Sequence, residues 1–361
     1  MPRPRSREAA DFTREFLYEA RPRLAIAILR AFLLPLGWTW SAVLTARRVL
    51  YRCGVLRGAR AGVPVISIGN VTVGGTGKTP LVEWVAHRAL ALGVGPGIVT
   101  RGYGASAGSA PRRVVRNSTG ESDEAILLAA RLPEAVVVAG RDRVRGARLA
   151  IDAGARVIIL DDGFQHLPLR RDLDIVLLDT RVPYRSGRVL PAGALREPWS
   201  AARDAHLAVV LADVAAPQTA PPGIPVARAV RRNTAVRRAS GARELPESLH
   251  ARRVFLLSGI GHPEAFRNSA VQAGAIVVGE QASADHHRFT QHEIDDVIES
   301  SRDANAEIIL TTEKDASRLP ALFLARADVA ILETAIDIVE GEALFTDLVD
   351  RALRGEMRAK E

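Results

Sequence analysis

Cysteine is almost absent: Cys53 is the single one in 361 residues. That excludes an internal disulfide framework and a multi-cysteine zinc site, and it suits a reducing compartment. Aromatic residues make up only 5% of the chain, too few to interleave a basic surface with stacking platforms, so nucleic acid is not expected as a partner. Lysine is also scarce, with three in the whole chain, and positive charge is carried by arginine. One of those lysines, Lys314 in "TTEKD", is followed directly by Asp315 with no asparagine before it, so the guanine-reading Asn-Lys-x-Asp is missing and GTP specificity is unsupported. No cleaved signal peptide is expected, because the first long apolar run begins only at Leu24, after a mixed-charge stretch, and no small-residue cleavage site follows.

The net charge of +8 is unevenly placed. Residues 1–60 hold twelve arginines against four acids, whereas the remaining 301 residues are balanced at 37 of each sign. Within the basic part, "LAIAILRAFLLPLGWTWSAVL" (Leu24 to Leu44) approaches the roughly 20 apolar residues a bilayer span needs, but Arg30, Pro35 and Gly37 interrupt it. Trp38 and Trp40 lie inside it, and Arg21, Arg23, Arg47, Arg48 and Arg52 flank it. Apolar helix with tryptophan and arginine favours the headgroup interface, so a pair of helices lying on an anionic membrane surface is expected. A helical hairpin packed into the core and a true span are the alternatives.

Beyond residue 62 the texture changes. "VPVISIGN", "GPGIVTRG", "AVVVAG", "ARVIILDD", "LDIVLLDT" and "AHLAVVLAD" are short Val/Ile/Leu runs that alternate with helical patterns such as "PLVEWVAHRALAL". Such runs predict a mostly parallel α/β sheet with helices on both faces. "VAAPQTAPPGIP" (214–225) is the strongest breaker cluster and predicts a hinge, after which the alternation resumes. The expected domains are a helical membrane-associating segment over 1–60, a core over 61–225, and a smaller α/β domain over 226–361.

"SIGNVTVGGTGKTP" (67–80) follows a predicted strand and opens a predicted helix, the context of a phosphate-binding loop. Thr72 stands where the usual pattern has its first glycine. Gly74, Gly75, Thr76 and Gly77 remain to turn backbone N–H groups toward phosphate oxygens, with Lys78 reaching the β/γ-phosphates and Thr79 holding magnesium. A plain strand-to-helix turn would explain the glycines but not Gly-Lys-Thr at the helix start. "VIILDDGFQH" ends a buried strand in Asp161 and Asp162, carboxylates at the edge where open α/β sheets bind ligands and where one of them can serve Mg²⁺. The core is therefore expected to be P-loop NTPase-like. Arg196 and Glu197 in "LPAGALREPW" read equally as a phosphate and metal pair or as a loop salt bridge. Asp123 and Glu124 in "GESDEA" suit a helix start. "ADHHRFT" (284–290) sets His286 beside Asp285, too few ligands for zinc but suited to a base paired with a carboxylate.

In order along the chain, "ISIGNVTVGGTGKTP", "TRGYG", "SDEA", "ILDDGFQH", "LRRDLDIVLLD", "LPAGALREP", "SGIGHPEAF", "ADHHRFT" and "TTEKDA" resemble the tetraacyldisaccharide 4'-kinase family, the lipid A 4'-kinases, over about residues 35–320. Thr72 in place of glycine is usual in that family. The resemblance implies a kinase on the cytoplasmic face of the bacterial inner membrane, peripheral or monotopic. It would use ATP and Mg²⁺ to phosphorylate the 4'-hydroxyl of a lipid A disaccharide precursor, with no obligate protein partner evident. It implies Lys78 and Thr79 as phosphate and magnesium contacts, Asp161 and Asp162 as the acidic pair, Arg196 and Glu197 as a functional loop with Glu197 at the metal, and Asp123 with His286 as a catalytic dyad spanning the two domains. The family's Gly-Asp-Glu-Pro becomes Ser122-Asp123-Glu124-Ala125 here. From the residues alone, a regulatory or transport-coupled membrane ATPase is the other reading.

Overall fold

The computed structural model describes residues 12, 15–17, 23–74, 77–102, 110–115, 118, 121–179, 187–211, 223–284 and 287–357. Gly75, Thr76, His286 and most of the expected hinge lie outside them. The chain divides into two compact units, Arg14–Val230 with Ile338–Glu361, and Met1–Thr13 with Arg231–Asp337.

The larger unit contains, in chain order, α1 (Leu24–Arg52), β1 (Val65–Gly69), α2 (Lys78–Ala91), β2 (Pro96–Thr100), β3 (Arg112–Val114), α3 (Asp123–Arg131), β4 (Val136–Ala139), α4 (Arg143–Asp152), β5 (Val157–Asp161), β6 (Leu173–Asp179), β7 (Leu207–Leu211) and the start of β8 (Val226–Arg238). Its sheet runs β8-β7-β6-β1-β5-β2-β4-β3, parallel except for β3 against β4. Every residue of β1, β2, β5, β6 and β7 is buried. Strands covered on both faces have no solvent side to mark with polar residues, which is why they read as continuous apolar runs. β1 and β5 are parallel neighbours, with Ile68 opposite Asp161. The chain therefore leaves both strands at the same edge of the sheet, and the loop before α2 emerges beside the Asp161-Asp162 turn.

The smaller unit holds the rest of β8, β9 (Arg243–Glu244), β10 (Arg253–Ser258), α5 (Pro263–Gln272), β11 (Ile276–Ala282), α6 (Gln291–Asp303), β12 (Ile308–Thr312), the short helices α7 (Glu313–Ala316) and α8 (Ala321–Leu324), and most of β13 (Val329–Glu340). Strands β11, β10, β12 and β13 are parallel in that order, and β9 turns back on β8. The division falls at Arg231, a few residues beyond the expected boundary. The C-terminal helix α9 (Glu342–Leu353), expected in the smaller domain, belongs to the larger unit. Arg88 of α2 donates to both carboxylate oxygens of Asp350, at 2.7 and 2.6 Å, and buried Phe345 meets the edge of Trp84 with ring centroids 4.7 Å apart.

Across Leu24–Arg52 the expected helix pair is corrected to one helix. α1 runs unbroken through Pro35, and Thr39 Oγ1 donates to the Pro35 carbonyl at 2.9 Å. Gly37 is a contact point and not a turn. A Cβ there would lie 3.2 Å from the Val189 carbonyl and 3.3 Å from the Ala192 methyl, so only glycine lets the helix come this close. Elsewhere α1 leaves Leu24, Ile28, Phe32, Leu36, Trp38 and Trp40 exposed.

A close approach in the larger unit is at Gly69, where a Cβ would sit 2.5 Å from the Phe164 Cβ and 2.6 Å from its backbone nitrogen. Gly69→Ala is expected to destabilise the fold by about 1–3 kcal/mol, the usual cost of overpacking. Denaturant unfolding with an unchanged m-value and a lowered midpoint checks this; an unshifted midpoint shows that the Phe164 turn yields.

Candidate functional site

Just past β1 the chain forms two bridges that account for Thr72. The Val73 N–H donates to the Ala194 carbonyl at 2.9 Å, the Arg196 N–H donates to the Val71 carbonyl at 2.8 Å, and Thr72 pairs with Leu195. Thr72 is fully buried, and its hydroxyl accepts from Asn70 Nδ2 at 3.2 Å. Position 72 is thus an extended, paired residue, where a β-branched side chain is favoured and glycine is not needed. The chain reverses later, at Gly74 (φ 93°) and Gly77 (φ 77°), left-handed conformations that glycine adopts without strain. Gly77 caps α2 with no side-chain acceptor, and the first turn of α2 carries no acid. Its N–H groups and positive dipole end stay available to an anion, with Lys78 and Thr79 as the first two helical residues.

Asp162 gathers the cations. Its left-handed backbone (φ 56°) turns the chain sharply at the end of β5. Arg196 Nη1 donates to Oδ2 at 2.7 Å, and Lys78 Nζ lies 3.3 Å from Oδ1. Burial acts to raise the Asp162 pKa, but Lys78 and Arg196 outweigh it and hold the carboxyl well below the usual range. Asp161, 3% exposed, goes the other way: burial pushes it up to about 6, with Glu124 adding to the rise and Lys78 opposing it. Buried Arg143 donates to the Asp161 carbonyl at 2.7 Å and fixes the strand end. Adjacent carboxylates thus carry opposite tendencies, one held in the charged form and one made harder to ionise.

Glu124 and Arg143 belong to this electrostatic environment, although the sequence singled out neither as a site residue. The Asp/Glu pair that opens α3 was the available signal for Glu124. Asp123 is the first residue of α3, and the Ser122 hydroxyl caps that helix by accepting from the Ala125 N–H at 3.3 Å. The two departures from the family pattern, Ser122 and Ala125, are therefore the two ends of one capping bond.

Glu197 is 1% exposed and its carboxylate pairs with Arg48 of α1. The same guanidinium reaches Asp204 at 3.1 Å and the Phe164 carbonyl at 3.3 Å, and lies 4.5 Å over the Phe164 ring. Burial raises the Glu197 pKa and Arg48 lowers it in turn. This geometry ties the Arg196-Glu197 loop and the Asp161-Asp162 turn to α1, and it engages Glu197 with a cation already present, the salt-bridge reading of that residue.

Two further motifs in the smaller unit have structural partners. His287 Nε2 lies 2.9 Å from Glu293, which forms a capping box with Thr290 at the start of α6. In "TTEKD", Thr312 caps α7 by accepting from the buried Asp315.

The donors around Asp162 suit a hard divalent cation. Oδ1 is buried and has no hydrogen-bond partner among the described residues, only the ion pair with Lys78. Asp161 is next to it in the chain, and Thr79 supplies a hydroxyl. No group of three or more His, Cys, Asp or Glu among the described residues forms a metal cage. That fits Mg²⁺, which takes one or two carboxylates and completes its shell from water and nucleotide phosphates.

Residues 29–354 match the family model described as tetraacyldisaccharide-1-P 4'-kinase. The chain is 40% identical to the tetraacyldisaccharide 4'-kinase of Anaeromyxobacter sp. (strain Fw109-5), over 92% of this chain and 95% of the relative. It is 36% identical to that of Pelobacter propionicus, over 96% and 98%. Its fold is similar to a crystal structure of LpxK from Aquifex aeolicus in complex with ATP, with a TM-score of 0.73 and 31% identity, covering 90% of this chain and 99% of that one.

The raised Asp161 pKa sets a pH dependence for the nucleotide-free protein. Between the unfolded value of 3.8 and the folded value of about 6 the native state binds the extra proton, so stability falls as pH rises through that window and stays lower above it. Asp161→Asn removes the titration. In chelator, it is expected to raise the melting temperature over wild type at pH 7.5 and to lose that advantage at pH 4. An equal gain at both pH values would show that the ionised carboxylate is not what costs stability.

Proposed function

We infer, for a chain that belongs to the tetraacyldisaccharide-1-P 4'-kinase family, that it transfers the γ-phosphoryl group of ATP to the 4'-hydroxyl of a tetraacylated glucosamine disaccharide 1-phosphate in lipid A biosynthesis. The observation that supports the chemistry most directly is the meeting of Lys78 and Arg196 on Asp162 beside the open N-terminus of α2. Phosphoryl transfer asks a protein mainly for positioning and for charge opposite the γ-phosphoryl oxygens. Lys78 and Arg196 are the cations to supply it, released from Asp162 as phosphate takes its place. Gly74, Gly75, Thr76 and Gly77 offer the backbone cradle. Thr79, Asp161 and Asp162 would hold Mg²⁺, which when bound neutralises charge on the β- and γ-phosphates. Glu197 positions Arg196 through its ion pair with Arg48. Asp123 and His286 keep the role that the family resemblance implies, accepting the proton of the 4'-hydroxyl.

The acceptor carries four acyl chains, so the enzyme meets it at a membrane. α1 is 29 residues long and contains an 18-residue window with a mean hydropathy of 1.5, enough by length and composition to cross a bilayer. Its exposed Trp38 and Trp40 and the arginine excess of residues 1–60 instead support a helix lying on an anionic surface, on the cytoplasmic face where ATP is available. The relatives' names do not favour the regulatory ATPase reading.

Incubation of γ-labelled ATP with and without the lipid disaccharide tests the transfer. Label is expected in the lipid, and Lys78→Ala is expected to lower kcat by about 100-fold or more, the scale on which charge-stabilising groups act. His286→Ala is expected to lower turnover while nucleotide binding persists. Label released only as inorganic phosphate, with or without acceptor, would replace the kinase reading by the ATPase one.

A further inference from the structure

At the opposite edge of the larger unit's sheet from Lys78 lies a second cationic site. Arg170 and Arg171 just precede β6, and His206 just precedes β7, so they stand at the N-terminal ends of parallel strands whose other ends face the phosphate loop. With Arg48 and Arg52 of α1 and with Arg203 they line a cavity of about 350 Å³. Its carboxylates are Asp174 and Asp204. Asp174 takes Arg171, at 2.7 Å, and Asp204 is shared by Arg48 and Arg52. Arg170 and Arg203 have no carboxylate partner among the described residues. Two guanidiniums thus remain uncompensated around a concave space, one half-buried and one exposed. The residues that continue α1 beside it, Val49, Leu50, Val55 and Leu56, are exposed and apolar.

A cavity with surplus guanidinium charge selects an anion, and guanidinium forks match phosphate oxygens. Exposed Val49, Leu50, Val55 and Leu56 flank in the chain Tyr51 and Arg52, which line the cavity, and apolar surface there suits an anion that carries hydrocarbon. We propose that this cavity binds the phosphate headgroup of an acidic glycerophospholipid, whose acyl chains lie along the apolar surface of Val49, Leu50, Val55 and Leu56. It is separate from the nucleotide site and lies at the base of α1. A bound headgroup there holds the C-terminal end of α1 at headgroup depth, and Arg48 connects that end to the Glu197 loop. The proposal rests on the membrane-surface reading above.

Short-chain phosphatidylglycerol below its micelle concentration separates this pocket from diffuse surface charge, because no lipid surface is present. Calorimetric titration of the full chain is expected to show binding that Arg170→Gln with Arg203→Gln weakens at least tenfold. Arg57→Gln with Arg60→Gln, equal in charge and outside the cavity, is expected to leave binding unchanged, and ATP binding is expected to stay normal in both. No binding by wild type, equal binding by the Arg170/Arg203 variant, or equal loss in the Arg57/Arg60 variant would overturn the proposal. Inorganic phosphate that binds as tightly as the lipid would overturn it in favour of a free-anion site. Vesicles of phosphatidylcholine with phosphatidylglycerol check the underlying reading: a wild type that fails to float with them while still binding the short-chain lipid overturns membrane association and leaves the pocket intact.

Discussion

Asp162 is where the larger unit's chemistry and architecture meet. A carboxylate this buried is costly to ionise, and it stays charged only because Lys78 and Arg196 reach it from different parts of the chain. The dependence runs both ways. Two cations placed beside the positive end of α2 would repel each other and the helix dipole without an anion between them. Asp162 fills that place, and on the proposed kinase reading it would hold Lys78 and Arg196 near the positions from which they meet phosphate, leaving little reorganisation for binding. Its neighbour Asp161, raised to about 6 by burial and by Glu124, is harder to ionise and takes a proton well before Asp162 does as pH falls.

The rest of the unit can be read as what keeps Arg196 in reach. The bridges from Val71 and Val73 to Arg196 and Ala194 set the loop's backbone against the start of the phosphate loop. Arg48, Glu197 and Phe164 then fix it from the other side. Removing either member of the Arg48–Glu197 pair would leave a buried charge alone, a larger loss than the pair's own net worth. This network joins the helix that exposes apolar surface to the loop that carries Arg196, a contiguous physical connection between them.

How far the sequence showed this depends on how local each signal is. The strands were legible because full burial writes itself as uninterrupted Val/Ile/Leu, and so were the places of Lys78 and Thr79 at a helix start and of Asp161 and Asp162 at a strand end, because the first pair directly precedes a helical pattern and the second closes such a run. Thr72 was legible only as an anomaly, since its reason is a bridge to Leu195, more than a hundred residues away in the chain. Glu197 looked like a metal ligand because a carboxylate beside an arginine fits either reading, and its partner Arg48 is 149 residues distant. Pro35 and Gly37 looked like a turn because both usually break helices. Neither signal says that a helix can absorb one proline and use one glycine as a contact point. α9 showed its helical character, but periodicity cannot name the surface that an apolar face will cover.

The concentration of basic excess in residues 1–60 takes on a sharper meaning with these contacts in view. Arg48 is used inward, against Glu197 and Asp204, whereas Arg52 reaches Asp204 from an exposed position. Arg30 is buried as well, its guanidinium donating to the main-chain carbonyls of Glu15 and Phe16. Among the described residues, Arg57 and Arg60 beyond the end of α1 are exposed, as is Arg203 at the cavity, and Arg170 there is half-buried. On the proposed membrane-surface reading, burial of the exposed apolar side chains of α1 would set its depth, and the arginines beyond its C-terminal end would meet anionic headgroups.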